Sequence, residues 1–162
     1  MNHTPVYHFS TFPTPAGEFS VAVDPDGAVA ATAFGGRAAL AKMLHGAALV
    51  ADAERTAPAR GEVEAWFRGE RKEFSVALAP EGTDFQKRVW GALRRIPYGQ
   101  TRSYGEVARE VGSSPRAVGR ANATNPIGLI VPCHRVIGAD GSLVGYASGE
   151  KLKRWLLDFE GA

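Results

Sequence analysis

The stretch "RSYGEVAREVGSSPRAVGRANATNP", residues 102–126, decides the fold of this chain. Ser103, with Glu106 three positions later, forms a capping box, in which each side chain satisfies a backbone N–H that the first helical turn leaves without a partner. The helix it opens, "YGEVAREV", stops at Gly112, where glycine takes the left-handed conformation of a helix end without steric cost. Ser114 then caps a second helix, with Pro115 at the first helical position, where its missing N–H is no loss. That helix stops before Asn125–Pro126. Two short helices joined by a Gly-Ser-Ser turn outline a helix-turn-helix, packed by Val107, Val111 and Val118. Its second helix turns Arg116, Gly119, Arg120 and Ala123 outward, and small side chains among arginines let a helix come close to a nucleic-acid backbone. An ordinary helix hairpin is the competing reading.

Working outward, Thr83 with Gln86 makes another capping box. Phe85, Val89, Ala92, Leu93 and Ile96 follow at helical spacing until "PYG" ends the run. Downstream of the two helices lie "IGLIV", the turn "PCHR" and "VIGADGSLVGY". Asp140–Gly141 between apolar pairs predicts a hairpin, a wing beside the helix-turn-helix. A last helix presents Leu152, Trp155, Leu156 and Phe159 as its core face. The first 80 residues have a different grammar. "VYHFSTF", "EFSVAV" and "AVAATAF", separated by "PTPAG" and "DPDG", predict a strand meander. A helix over residues 37–45, a loose "ADAERTAPAR", a short helix "EVEAWFRG" and a further strand "EFSVAL" follow. The shift of composition at "APEGTD" predicts an α+β chain in two parts, strand-rich over 1–80 and helical with a winged helix-turn-helix over 81–162.

The 162 residues are 44% hydrophobic and 22% charged, and no apolar run approaches the roughly 20 residues of a membrane span. "MNHTPVYHFS" has neither the basic start nor the apolar core of a secretory signal. A single cysteine cannot form an internal disulfide, so the expected compartment is a reducing cytoplasm. The net charge of +2 hides an asymmetry: residues 1–80 carry seven Lys/Arg against nine Asp/Glu, and residues 81–162 twelve against eight. A basic second half suits a polyanionic partner such as nucleic acid, with a merely solvated basic face as the alternative. His3, His8 and His45 lack metal-ligand spacing and cysteine partners, so no zinc site is expected.

Cys133 sits between Pro132 and His134. A lone cysteine is ordinarily a small buried hydrophobe. A reactive one must become a thiolate, helped by positive charge, a helix N-terminus or a base. His134 and Arg135 supply local basicity. Adjacent side chains in an extended turn point apart, so His134 would reach the thiol through a water while a carboxylate orients its other ring nitrogen. Asp140, Glu150, Asp158 and Glu160 all qualify on these grounds.

The run "NPIGLIVPCHRVIG" resembles the active-site signature of the O6-alkylguanine-DNA alkyltransferases, the methylated-DNA–protein-cysteine methyltransferases. The resemblance extends over residues 83–161, through "RSYGEVA", "RAVGRANATNP" and "KRWLLDFEG". Residues 1–80 are similar to the family only in length and strand-rich character, which implies its small antiparallel, ribonuclease H-like domain. Carried over, the resemblance implies that Cys133 accepts the alkyl group, that His134 is the water-mediated base and that Glu160 orients it. It makes Asn125 the hinge between the second helix and the cysteine turn, and Tyr104 the donor to the departing guanine. Arg116 would fill the gap left by a flipped base, on a helix surface of Ser114, Arg116, Ala117, Gly119 and Arg120. Val136 and Ala147 would line the guanine pocket with their backbone, together with Tyr104, Tyr146 and Ser148. The implied activity is single-turnover repair of O6-alkylguanine, with O4-alkylthymine as a further substrate. The implied protein is a monomer without cofactor, bound in the minor groove of duplex DNA. Ser148 stands where the family usually has a glycine and Glu150 where it has an apolar residue, which predicts altered tolerance for bulky alkyl groups. A non-enzymatic damage-binding relative, a helix-turn-helix regulator and a cysteine hydrolase are the competing classes.

Overall fold

The computed structural model describes residues 5–162; His3 and the start of "MNHTPVYHFS" lie outside the described residues. The chain divides into two compact units, Met1–Glu81 and Gly82–Ala162.

In the first unit, β1 (Val6–Thr14), β2 (Gly17–Val23) and β3 (Val29–Ala33) form the expected antiparallel meander. A fourth strand absent from the sequence reading, β4 (Ala48–Ala51), joins β1 in parallel, giving the order β3-β2-β1-β4. One face of the sheet gathers Tyr7, Phe9, Ala22, Ala31 and Leu49 around Leu40 of helix α1 (Arg37–Met43). The expected loose stretch and short helix are instead one 15-residue helix, α2 (Ala53–Phe67), which runs through Pro58. Asp52 caps it by accepting from the Arg55 N–H at 2.9 Å. Thr56, Ala59, Val63, Trp66 and Phe67 form its buried face, and this burial offsets the one hydrogen bond that the proline forfeits. "EFSVAL" is not a strand either: only Leu78 bridges to Val29. The reason is tertiary: the Glu62 carboxylate of α2 takes the N–H groups of Ser75 and Val76 at 2.8 and 3.2 Å.

The second unit follows its capping signals closely. Helix α3 (Asp84–Arg94) opens on the Thr83–Gln86 box and α4 (Tyr104–Val111) on the Ser103–Glu106 box. Gly112 ends α4 in the left-handed conformation at φ 69°. Helix α5 (Pro115–Ala123) starts at the Ser114 cap. Val89, Ala92 and Leu93 of α3, Val107 of α4 and Val118 of α5 are buried between the three helices. Trp90, outside the expected face, is buried as well, its indole N–H donating to the Ala121 carbonyl at 2.8 Å. Phe85 and Val111 are only half-buried.

Past α5 the chain buries Ile127, Leu129, Ile130 and Val131 and then makes a single 3-10 turn, Cys133–Arg135. Strand β6 (Val136–Ile137) pairs in parallel with β5 (Arg102–Ser103), tying the cysteine turn to the start of α4. The turn at Asp140–Gly141 does form, closed by Gly141 N–H to the Gly138 carbonyl at 2.9 Å. The expected hairpin strands do not: Ser103 is the partner of Ile137, and the Val144 carbonyl accepts from side chains. Helix α6 (Glu150–Glu160) buries Lys153, Leu156, Leu157 and Glu160, whereas Leu152, Trp155 and Phe159 are half-buried. The buried face is rotated from the apolar one because two charged residues find partners inside.

Candidate active site around Cys133

Three elements of the second unit converge on Cys133. Asn125, two residues past the end of α5, accepts from the Ile127 N–H and donates to the Val131 carbonyl, each at 3.0 Å. It thereby closes the loop that leads to the cysteine, in which buried Leu129 holds a left-handed φ of 74°. Such a conformation costs a non-glycine residue about 1–3 kcal/mol and persists only where surrounding contacts impose it. Asn122, one helical turn earlier, donates to the Cys133 carbonyl at 3.4 Å. Helix α5 and the cysteine turn are therefore joined by the buried Asn122 amide, while the buried Asn125 amide braces the loop between them.

His134 is fully buried, with Nε2 2.8 Å from Glu160 Oε2. Arg135 grips the same carboxylate, Nε at 2.9 Å from Oε1 and Nη2 at 2.7 Å from Oε2, while Nη1 donates to the Ile96 carbonyl at 2.8 Å. The Gly99 N–H donates to Oε1 at 3.3 Å. Burial alone would raise the Glu160 carboxyl, but hydrogen bonds from His134 and Arg135 and the guanidinium charge outweigh it and hold it at about 2. An ionised carboxylate only accepts, so Nε2 of His134 carries the proton and Nδ1 keeps its lone pair. Nδ1 is buried and has no hydrogen-bond partner among the described residues. Burial pushes His134 below its ordinary value despite Glu160, so the ring is neutral at pH 7. Of the four candidate carboxylates, Glu160 is the one that meets His134; Asp140 instead caps its own turn through the Ser142 N–H at 3.0 Å.

The Cys133 thiol is buried and pushed above its ordinary value by desolvation. A hydrogen bond from Asn125, the charge of Lys153 and the N–H groups of Cys133 and His134 pull the other way. The resting thiol thus keeps its proton at neutral pH, and reaction requires a base; the free Nδ1 of neutral His134 has that capacity.

Tyr104 and Tyr146 lie close enough to the thiol for its charge to raise both phenols, after burial, which is the larger cause in each. The Tyr104 hydroxyl donates to the Val144 carbonyl at 2.7 Å. Gly145 has φ +81°, and a Cβ there would stand 2.5 Å from that hydroxyl, so the approach requires glycine. Val136 is buried beside the cysteine turn, while Ala147 and Ser148 are exposed on the segment after Tyr146. On α5, Arg116 and Arg120 are exposed, Ala117 and Gly119 are half-buried, and the exposed Ser114 caps the helix through the Ala117 N–H at 3.2 Å.

Three residues of this site escaped the sequence reading. Arg135 was taken only as local basicity, and its grip on Glu160 depends on a residue 25 positions away. Asn122 carried no spacing signal. Lys153 had one: it lies seven residues before Glu160, hence on the same face of α6. Its ammonium bonds the Val136 and Val144 carbonyls, the latter at 3.3 Å, and lies 5.8 and 5.9 Å from the ring centres of Tyr104 and Tyr146.

A helix-turn-helix with outward arginines, joined through buried amides to a cysteine backed by a histidine–carboxylate pair, defines a class of protein that holds a thiol beside a basic helix. Residues 84–162 match the family model for the DNA-binding domain of 6-O-methylguanine DNA methyltransferase. The methylated-DNA–protein-cysteine methyltransferase of Methanosarcina acetivorans is 61% identical over 103 residues, which span 62% of this chain and 66% of the relative, just under two thirds of its length. The Mycobacterium tuberculosis O6-methylguanine methyltransferase structure is 43% identical with a TM-score of 0.85, over 96% of this chain and 93% of that one. The same organism's OGT, crystallised in complex with DNA, is 41% identical with a TM-score of 0.82, over 94% of this chain and 92% of that one. This chain belongs to the 6-O-methylguanine DNA methyltransferase family.

Proposed function

We propose that this protein repairs O6-alkylguanine in duplex DNA by transferring the alkyl group irreversibly to Cys133, once per molecule. The observation that carries the reading is the buried Cys133 turn, held against the DNA-facing helix by Asn122 and Asn125 and backed by the His134–Glu160 pair. The chemistry is an in-line displacement at the alkyl carbon. His134 Nδ1 takes the thiol proton through a water, the thiolate forms a C–S bond, and the C–O6 bond breaks with its electron pair passing into the purine. Tyr104 protonates the departing guanine and is reprotonated in turn, so the thiol proton is delivered, in sum, to the base. Glu160 and Arg135 hold the imidazole in the tautomer this requires.

The alkylated oxygen faces the major groove inside a stacked pair, so the nucleotide must be flipped before a buried thiol reaches it. Arg116 enters the space it leaves, and the small residues Ala117 and Gly119 allow α5 into the minor groove, with Ser114 and Arg120 against phosphates. The Tyr104 hydroxyl exchanges its Val144 carbonyl for the base, which lies between Tyr146 and the backbone of Val136 and Ala147. O4-alkylthymine, with the same electrophilic carbon on an exocyclic oxygen, is a second substrate. The protein acts as a monomer in the cytoplasm; no described helix is long and apolar enough to cross a membrane.

Intact-protein mass spectrometry after incubation with an oligonucleotide containing one O6-methylguanine tests this. The expected result is a gain of one methyl group on Cys133, reaching one equivalent per protein. Tight binding without a mass change would overturn it in favour of a damage-recognition protein with a silent thiol.

A further inference from the structure

The charges around Cys133 do not balance in the resting state. Glu160 and Arg135, a carboxylate and a guanidinium, neutralise each other. His134 is neutral, as are Tyr104 of α4, Tyr146 of the preceding loop and the amides Asn122 and Asn125. Lys153 of α6 remains. It is fully buried, and among the described residues no carboxylate lies within ion-pair distance of its ammonium. Glu150, one turn earlier on α6, is exposed and acts on it only at long range. Backbone carbonyls and aromatic rings accommodate a cation but carry no net charge to cancel it, and an uncompensated buried ammonium is costly.

We infer that Lys153 is the counter-ion of the Cys133 thiolate, a positioning residue whose buried charge favours the anionic nucleophile without touching the alkyl group. The thiolate would complete a neutral set around the reacting sulfur. The reciprocal effects agree in sign: the ammonium lowers the thiol, and the thiolate raises the ammonium, although burial is the larger effect and leaves it at about 8. The alternative is that Lys153 only clamps the Val136 and Val144 carbonyls at the two ends of the intervening turn.

This inference rests on Cys133 being the alkyl acceptor, so its test reads the thiol without DNA. Carboxamidomethylation of Cys133 by iodoacetamide is followed from pH 5 to 10 in wild type, Lys153→Met and Lys153→Arg. Lys153→Met is expected to move the midpoint up by about one unit or more, a tenfold slower reaction near pH 7, with the high-pH plateau retained. Lys153→Arg, which keeps the charge, is expected to stay near wild type. An unmoved midpoint in Lys153→Met, or an arginine variant displaced as far as the methionine one, overturns the inference in favour of the clamp. Should Lys153→Met fail to fold, linkage decides the matter from the other side. Carbon-13 NMR titration of Lys153 is expected to give a lower midpoint in Cys133→Ser than in wild type, and identical midpoints overturn the inference. A shifted thiol midpoint in a protein that takes no methyl from DNA would refute the repair reading and leave this one standing.

Discussion

Replacing Glu160 with glutamine separates the two tasks of that carboxylate. In the wild type it accepts from Arg135 Nε and Nη2, from His134 Nε2 and from the Gly99 N–H, all with its side chain buried. Glutamine keeps the shape but leaves the Arg135 guanidinium without a counter-charge, a loss of about 3–5 kcal/mol for a broken buried pair. At 2–4 °C per kcal/mol for a chain of this size, the melting temperature at pH 7 should fall by roughly 6–20 °C. The loss must depend on pH with a definite sign. The carboxyl is held at about 2 in the folded protein against 4.5 for an unperturbed glutamate. Its stabilisation is therefore complete above about pH 4.5 and disappears as pH falls toward 2. Melts followed by circular dichroism should show wild type and Glu160→Gln converging between pH 4.5 and 2. A gap as wide at pH 2.5 as at pH 7 would refute the ion-pair reasoning. The second task concerns the tautomer. A glutamine N–H facing His134 Nε2 moves the ring proton to Nδ1 and removes the base, so methyl transfer should fall by on the order of a thousandfold, by analogy with orienting carboxylates elsewhere. Transfer within tenfold of wild type would mean that His134 is not the base.

Three further outcomes follow from the site. Cys133→Ala should abolish methyl transfer and leave affinity for O6-methylguanine duplex within about twofold in gel-shift titrations; any retained transfer would remove Cys133 as acceptor. Arg116→Ala should slow repair of duplex by on the order of tenfold, since unstacking a base step costs a few kcal/mol, and leave reaction with free O6-methylguanine base nearly unchanged. Equal losses on both substrates would show that Arg116 has no part in base flipping. Ser148→Gly should change the ratio of benzyl to methyl transfer rates by several-fold, because Ser148 is exposed on the segment that follows Tyr146, the residue proposed to line the guanine pocket; identical ratios would sink the idea.

What the sequence by itself determined is what closes within a few residues. Both capping boxes, the Ser114 cap, Pro115 at the first position of α5 and the left-handed Gly112 were legible because each satisfies backbone groups at most one turn away. The Pro-Cys-His-Arg turn was legible by resemblance, and Glu160 could be singled out in no other way. Tertiary structure decided everything whose partner is distant in the chain. Pro58 stays inside α2 because the helix buries Trp66 and Phe67, and "EFSVAL" fails as a strand because Glu62 takes its donors. Val136–Ile137 pairs with Arg102–Ser103 rather than with its own hairpin neighbours. The face of α6 was set by Lys153 and Glu160, whose partners lie 9–17 and 25–61 residues away. A periodicity rule places charge outside because burying it is costly unless compensating groups are assembled, and that assembly exists only in the folded chain.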